Sequence, residues 1–274
     1  MMSKLNWVAG ILFTLIFASS FVMTENPSLF MNGLGLAIVV SGTLGAMFFS
    51  YPSSDISAAI RVARNTYLVK TPSADLLVNT MMDLAVQRQH HGILALEDAE
   101  TDINVSFLKR ALSLLIDGYK TEELRDILYT EMYYFKQRRK HNERLFRHAG
   151  HLAPAFGVAG SVIGLIAMLS GIGDPEVIIR SIPLALTSTL YGIVLGNFVF
   201  IPIAENIYAK TQRELLMQKL VTDGVIAMQK EPSPYRLTKK LESFLTPAER
   251  PGNDKTFEEI REHFKRLQLE EEKA

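Results

Sequence analysis

The chain has 274 residues, 48% of them hydrophobic and 21% charged, with 29 basic residues balanced by 29 acidic ones. That average would suit a soluble protein, but the charge is unevenly placed: residues 5–24, 27–50, 149–172 and 181–204 contain no Lys, Arg, Asp or Glu. Cysteine is absent, which excludes disulfides, thiolate metal sites and cysteine nucleophiles, and neither a resident metal, a cofactor nor a nucleic acid is expected to bind.

An α-helix rises about 1.5 Å per residue, so about 20 residues cross a hydrocarbon core of about 30 Å. Every uncharged window is long enough. One Asp, Lys or Arg at the bilayer centre costs roughly 2.5–3.5 kcal/mol, which accounts for their exclusion. The first window follows Lys4 and is longer than the apolar part of a usual secretory signal; with only Ala18, Ser19 and Ser20 as a weak cleavage site, it reads as a span. Trp7 and Tyr51 fall near membrane edges and suit an aromatic belt.

Residues 51–148 read as helical, with no competing strand pattern. Ser73 is placed to cap a helix over 74–89, and Gly118 to stop one over 105–117. Thr121, followed by Glu122 and Glu123, starts a long helix with Leu124, Ile127, Leu128 and Phe135 at helical spacing, running through the basic stretch 136–140 into the third window. Residues 205–230 continue the fourth window, and Glu231, Pro232, Ser233, Pro234 interrupts the helix. Residues 256–273 read as a short amphipathic helix.

Short loops rich in Lys and Arg stay in the cytoplasm. Residues 51–148 hold 14 of the 29 basic residues and the tail from Glu205 holds 13, whereas the turn 25–28 holds none and 173–180 only Arg180. Both termini are therefore expected in the cytoplasm. The predicted fold is an all-α integral membrane protein: four transmembrane helices, a helical cytoplasmic domain between spans two and three, and a cytoplasmic C-terminal tail. The expected divisions are a first hairpin at 1–50, the cytoplasmic domain at 51–148, a second hairpin at 149–204, and a helix with tail at 205–274.

The last two windows are built around small and hydroxyl residues. Pro154, Gly157, Ser161, Gly164 and Met168 share one helical face; so do Ala185, Ser188, Thr189, Gly192 and Gly196. Small residues let helix backbones approach closely, and Gly192 with Gly196 forms a GxxxG pair. Packing alone accounts for the glycines. Ser161 and Thr189 either satisfy carbonyls of their own helix or offer oxygens to an ion. Pro154 and Pro202 each free a carbonyl one turn earlier, as a static kink or as a hinge or cation ligand. No window contains a carboxylate, although intramembrane ion relays usually need a titratable group. An ion pathway here requires an Asp or Glu from a second chain, a single-span subunit packed against the third and fourth helices.

With these residues the chain resembles the flagellar stator ion-channel subunits of the MotA and PomA type, and more distantly the TolQ and ExbB proteins. The likeness runs through Ser41, Gly42, Thr43, Leu44, Gly45, Ala46; Gly92, Ile93, Leu94, Ala95, Leu96, Glu97; and Ala153, Pro154, Ala155, Phe156, Gly157. It continues through Asp174, Pro175; Ser188, Thr189, Leu190, Tyr191, Gly192; Pro202, Ile203, Ala204; and Phe244, Leu245, Thr246, Pro247. The resemblance implies a bacterial inner-membrane pentamer around two copies of a MotB-like, peptidoglycan-anchored subunit that supplies the membrane Asp. Ion flow past that Asp would turn the pentamer against the flagellar rotor.

On the same resemblance the ion pathway takes Pro154, Gly157, Ser161, Thr189 and Pro202, with the two prolines matching the family's functional pair. Glu97 matches a rotor-facing acid. The family's rotor-facing basic position falls on Gln89, so Arg88 and His90 beside it are the available charges. Sodium-driven members resemble this chain at Thr189 but carry Thr at the position of Ser161, which leaves proton or sodium as the translocated ion. The alternatives are a TolQ or ExbB-like energiser of an envelope process and a non-conducting scaffold. An enzyme is not expected: His151 has no acidic companion, and His90 with His91 is not a spaced metal motif.

Overall fold

The computed structural model describes residues 4–69, 71–93, 96–97, 105–230 and 234–245. The expected helix over 256–273, together with Leu94, Ala95, Glu231, Pro232, Ser233, Thr246 and Pro247, lies outside the described residues, as does the side chain of Trp7. Among the described residues there is no strand. The helices in chain order are α1 (Lys4–Val22), a 3-10 turn (Pro27–Phe30), α2 (Gly33–Ser50), α3 (Ser53–Leu68), α4 (Ala74–His91), α5 (Ser106–Ile116), α6 (Thr121–Ser170), α7 (Pro175–Val194), α8 (Ile201–Lys230) and α9 (Pro234–Glu242), with a π-helical segment at Leu195–Phe200 between α7 and α8.

The starts and stops follow local chemistry. Asn32 caps α2 by accepting from Gly35 N at 2.9 Å, Ser73 caps α4 by accepting from Leu76 N at 3.3 Å, and Asp174 caps α7 by accepting from Glu176 N at 2.9 Å with Pro175 at the first helical position. Glu123 in the first turn of α6 reaches back to Lys120 N at 3.2 Å, satisfying a donor with no intrahelical partner. Gly118 ends α5 at a φ of 78°, a conformation that side chains with a Cβ rarely adopt.

Among the described residues three helical stretches are long and apolar enough to cross a membrane: Pro27–Ser50, part of Thr121–Ser170, and part of Pro175–Lys230. The apolar stretch Val8–Val22 of α1 is shorter. The 50 residues of α6 are continuous from the Thr121 start through the basic stretch to the end of the third window, as the sequence predicts.

The chain divides into two compact units, residues 1–71 with 133–213, and residues 72–132 with 214–274. In the first, the face Gly35, Val39, Thr43, Met47 of α2 is buried, and α2 packs chiefly on α7. Phe17 of α1 stacks on Phe198 of the π segment with ring centroids 5.0 Å apart. In the second unit, a leucine-rich core includes Leu77, Leu108, Leu112, Leu115, Leu124 and Leu220, all 1% exposed or less. Lys219 of α8 donates to the Tyr129 hydroxyl and to Asp223 Oδ1 at 2.9 Å. Burial alone would draw its ammonium down; the two hydrogen bonds and the Asp223 charge outweigh that, and its pKa stands above the ordinary lysine value.

Candidate ion pathway along the small-residue seam

α6 and α7 meet along the two small-residue faces. A Cβ on Gly157 would stand 2.9 Å from Ser188 O and 3.2 Å from the Cα atoms of Gly192 and Thr189; one on Gly192 would stand 2.6 Å from Ala153 O. Gly164 would meet Ala185 N at 2.7 Å. These contacts are backbone to backbone, so no side-chain rearrangement relieves them, and only glycine fits. Lipid tails are as apolar as leucine, so helices associate in a bilayer through such close approach instead of through expulsion of water.

Pro154 lies inside α6 and has no N–H for the carbonyl of Gly150. That carbonyl faces Gly196, where an added Cβ would come within 2.7 Å of it and 3.0 Å of Pro154 Cδ. The GxxxG pair thus has two jobs: Gly192 admits the α6 backbone, and Gly196 covers the oxygen that Pro154 releases. Pro202 stands second in α8, immediately after the π segment, in which Ile201 N–H reaches Gly196 O five residues back. Isolated π turns arise where the helical ladder is disturbed and recur at functional positions. Asn197 within it donates from Nδ2 to Ile193 O at 3.1 Å.

Ser161 and Thr189 face each other across the seam. Ser161 Oγ lies 2.5 Å from Ala185 O and 3.3 Å from Gly157 O, and it is hydrogen bonded to Thr189 Oγ1. A serine hydroxyl has one proton. Ala185 O and Gly157 O can only accept, so Ser161 donates to one of them or to Thr189, and either hydroxyl can be the donor in the Ser161–Thr189 pair. The result is a cluster of neutral oxygens from both helices, half-buried in an apolar seam. Such a cluster can accept a proton's hydrogen bond or replace part of a cation's hydration, but it supplies no negative charge. Ser188, beside it, is fully buried and turned away toward Gly35 of α2 and Gly160 of α6, with its Oγ donating to Leu184 O at 2.7 Å.

The structure therefore brings together Pro154, Gly157, Ser161 and Thr189 on one seam and places Pro202 beyond its end. The sequence-predicted rotor-facing residues lie in the other unit. Arg88, Gln89 and His90 form the last turn of α4, which Gly92 ends at a φ of 82°, and Glu97 follows five residues later. Gln89, His90 and Glu97 are exposed. Arg88 is half-buried, and that burial lowers its guanidinium pKa from the ordinary value.

Two sets of residues near the seam escaped the sequence reading. Tyr191 accepts from Asn32 N at 2.8 Å and donates to Phe30 O, tying α7 to the turn between α1 and α2. Arg147 donates to Glu143 Oε1 at 2.8 Å and to Glu205 Oε1 at 2.9 Å, and these partners raise its pKa. The second set carries a signal in the sequence, because Arg147 and Glu205 are the charges that bound the third and fourth windows. The first does not, since a tyrosine in a span gives no hint of a partner 159 residues away. Among the described residues no group of His, Asp or Glu is placed to hold a metal.

Residues 99–220 match the MotA/TolQ/ExbB proton channel family. Over 240 residues the chain is 32% identical to the YtxD protein of Bacillus subtilis strain 168, covering 86% of this chain and 88% of that one. It is 29% identical over 246 residues to the chemotaxis protein PomA of Vibrio alginolyticus, covering 90% of this chain and 95% of that one. Among solved structures, the flagellar MotAB stator complex from Bacillus subtilis superposes with a TM-score of 0.81 at 27% identity, over 89% of this chain and 96% of the matched chain. With the likeness extending over nearly the whole length and through the seam itself, the chain belongs to the MotA/TolQ/ExbB proton channel family.

Proposed function

We propose that this chain is the ion-conducting stator subunit that, with a MotB-like single-span partner, couples ion flow to flagellar rotation. The observation that carries the reading is the oxygen cluster of Ser161, Thr189 and Ala185, set in a glycine-lined seam that has no carboxylate. Half of an ion pathway is present, and the half that is missing is an acid. The partner's membrane Asp completes it.

In this reading α1 is the first of four spans, and both termini face the cytoplasm of a bacterial inner membrane, following the distribution of basic residues. The hairpins 1–50 and 149–204 lie in the bilayer, with 51–148 and 205–274 on the cytoplasmic side. Copies of the chain, five by family resemblance, surround the partner. Arg88, Gln89, His90 and Glu97 meet the rotor, with Arg88 and His90 providing the positive charge that Gln89 lacks. Each unit charge crossing 100 mV releases about 2.3 kcal/mol, enough to repack a hydroxyl hydrogen bond of about 1 kcal/mol. The reaction is transport, with the proton or sodium ion as cargo and no resident cofactor.

The test is rotation of tethered cells from a strain deleted for this gene, complemented with wild type or with Pro154→Ala. Deletion is expected to stop rotation, wild type to restore it, and Pro154→Ala to leave it at a small fraction of the wild-type speed. Undiminished rotation and swarming in the deletion strain would sink the assignment. Replacing sodium by potassium in the same assay separates the ions: continued rotation identifies protons.

A further inference from the structure

α3 leaves the end of α2 after only Tyr51 and Pro52, and it is fixed at both ends. At its start, Asp55 Oδ2 lies 3.0 Å from His141 Nε2 of α6. At its end, Lys210 Nζ of α8 donates to Asn65 O at 2.9 Å and Val69 O at 2.6 Å, and Asn206 Nδ2 donates to the Tyr67 hydroxyl at 2.9 Å. The Arg147–Glu205 pair fixes the register of the antiparallel α6 and α8. From that pair, away from the uncharged windows, His141 is six residues along α6 and Lys210 five along α8, which is about 9 Å and about 7.5 Å.

The two anchors therefore stand at nearly one level, and α3 crosses both helices instead of following either. In the proposed membrane placement the anchors His141 and Lys210 stand about 12 Å and about 9 Å beyond the ends of the uncharged windows at residues 149 and 204. The headgroup layer occupies roughly 5–8 Å on each side of the core. α3 then lies at the outer margin of that layer, parallel to it.

The side of α3 turned away from α6 and α8 carries Arg61 and Arg64, both exposed, with Ile60 at 59% and Leu68 at 72% exposure. Its single acid, Asp55, is on the opposite side, engaged by His141. Neither Arg61 nor Arg64 has an ion-pair partner among the described residues. Basic and apolar groups at the headgroup level, continuous with a membrane-crossing helix, complement an anionic leaflet in both charge and polarity.

We propose that this face of α3 is a docking surface for anionic phospholipid, with the phosphate held by Arg61 and Arg64 and the acyl chains against Ile60 and Leu68. The proposal rests on the membrane placement given above, not on conduction. It makes α3 a collar whose level is set by lipid on one side and by His141 and Lys210 on the other.

The full chain, purified with its partner and exchanged into nanodiscs of equal phosphatidylcholine and phosphatidylglycerol, is released in a mass spectrometer and the retained lipids are counted. Wild type is expected to enrich phosphatidylglycerol several-fold over the bulk ratio. Arg61→Gln with Arg64→Gln lowers the enrichment at least about threefold, whereas Arg61→Lys with Arg64→Lys preserves most of it and shows that the fold survives. Equal retention in wild type and the glutamine variant overturns the proposal. So does lysine-variant retention no better than that of glutamine, or cross-linking of position 61 to a second copy of the chain. Ion flux measured on the same preparations separates the two readings: lost conduction with intact lipid preference indicts the stator assignment, and the reverse indicts the collar.

Discussion

The α6–α7 seam and the core of the second unit bring helices together by opposite means. At Gly157, Gly164 and Gly192 the seam brings main chain against main chain. In the second unit the contacts are between large side chains, Leu77, Leu112, Leu124, Leu128 and Leu220 among them, each essentially without solvent contact. In the proposed membrane placement the difference follows the solvent. In water, each fully buried Leu contributes roughly 1.5–3 kcal/mol by leaving it. In lipid that term vanishes, and van der Waals contact at the closest approach is what remains.

The sharpest way to break this comparison is to put the same side chain at two glycines of the apolar helices. Gly157→Val drives a branched side chain into Ser188 O and the Thr189 backbone and is expected to abolish ion flux and rotation. Gly45→Val, on α2 where nothing lies within 4 Å, leaves both near wild type. Equal loss at both positions would mean that the seam is not special. The converse experiment, Leu124→Ala, opens a cavity in the leucine core at a cost of about 2–5 kcal/mol, read as a lowered unfolding midpoint in detergent. The smallest expected effect is that of Tyr191→Phe. It removes no packing but leaves Asn32 N–H without its acceptor, costing about 1–3 kcal/mol. Faster amide hydrogen exchange at residues 30–36, with α7 unchanged, would confirm that Tyr191 acts on the first hairpin.

Much of the fold was legible because charge and capping are local. The uncharged windows, the Ser73 cap, the Gly118 stop and the unbroken run from Thr121 into the third window all depend on residues within a turn or two of each other. The places of Ser161 and Thr189 on two faces of small residues were legible, since period 3.6 brings each set to one side; that the two hydroxyls pair across the seam was not. What the sequence withheld is what distant helices do to each other. The cover that Gly196 gives the Gly150 carbonyl, the Tyr191 link to Phe30 and Asn32, and the crossing of α3 over α6 and α8 all need a register between helices, which no single helix encodes. The π segment was also hidden: Pro202 announces a disturbed ladder, but not that the adjustment falls ahead of it, at Leu195–Phe200.

The glycine seam also limits how this molecule can move. Side chains at an ordinary helix interface can hop between rotamers, so the gap between helices has some play. A contact made by main-chain atoms has no rotamers, and its spacing is set by covalent geometry. α6 and α7 therefore travel together as one rail along the main-chain contacts of Gly157, Gly164 and Gly192.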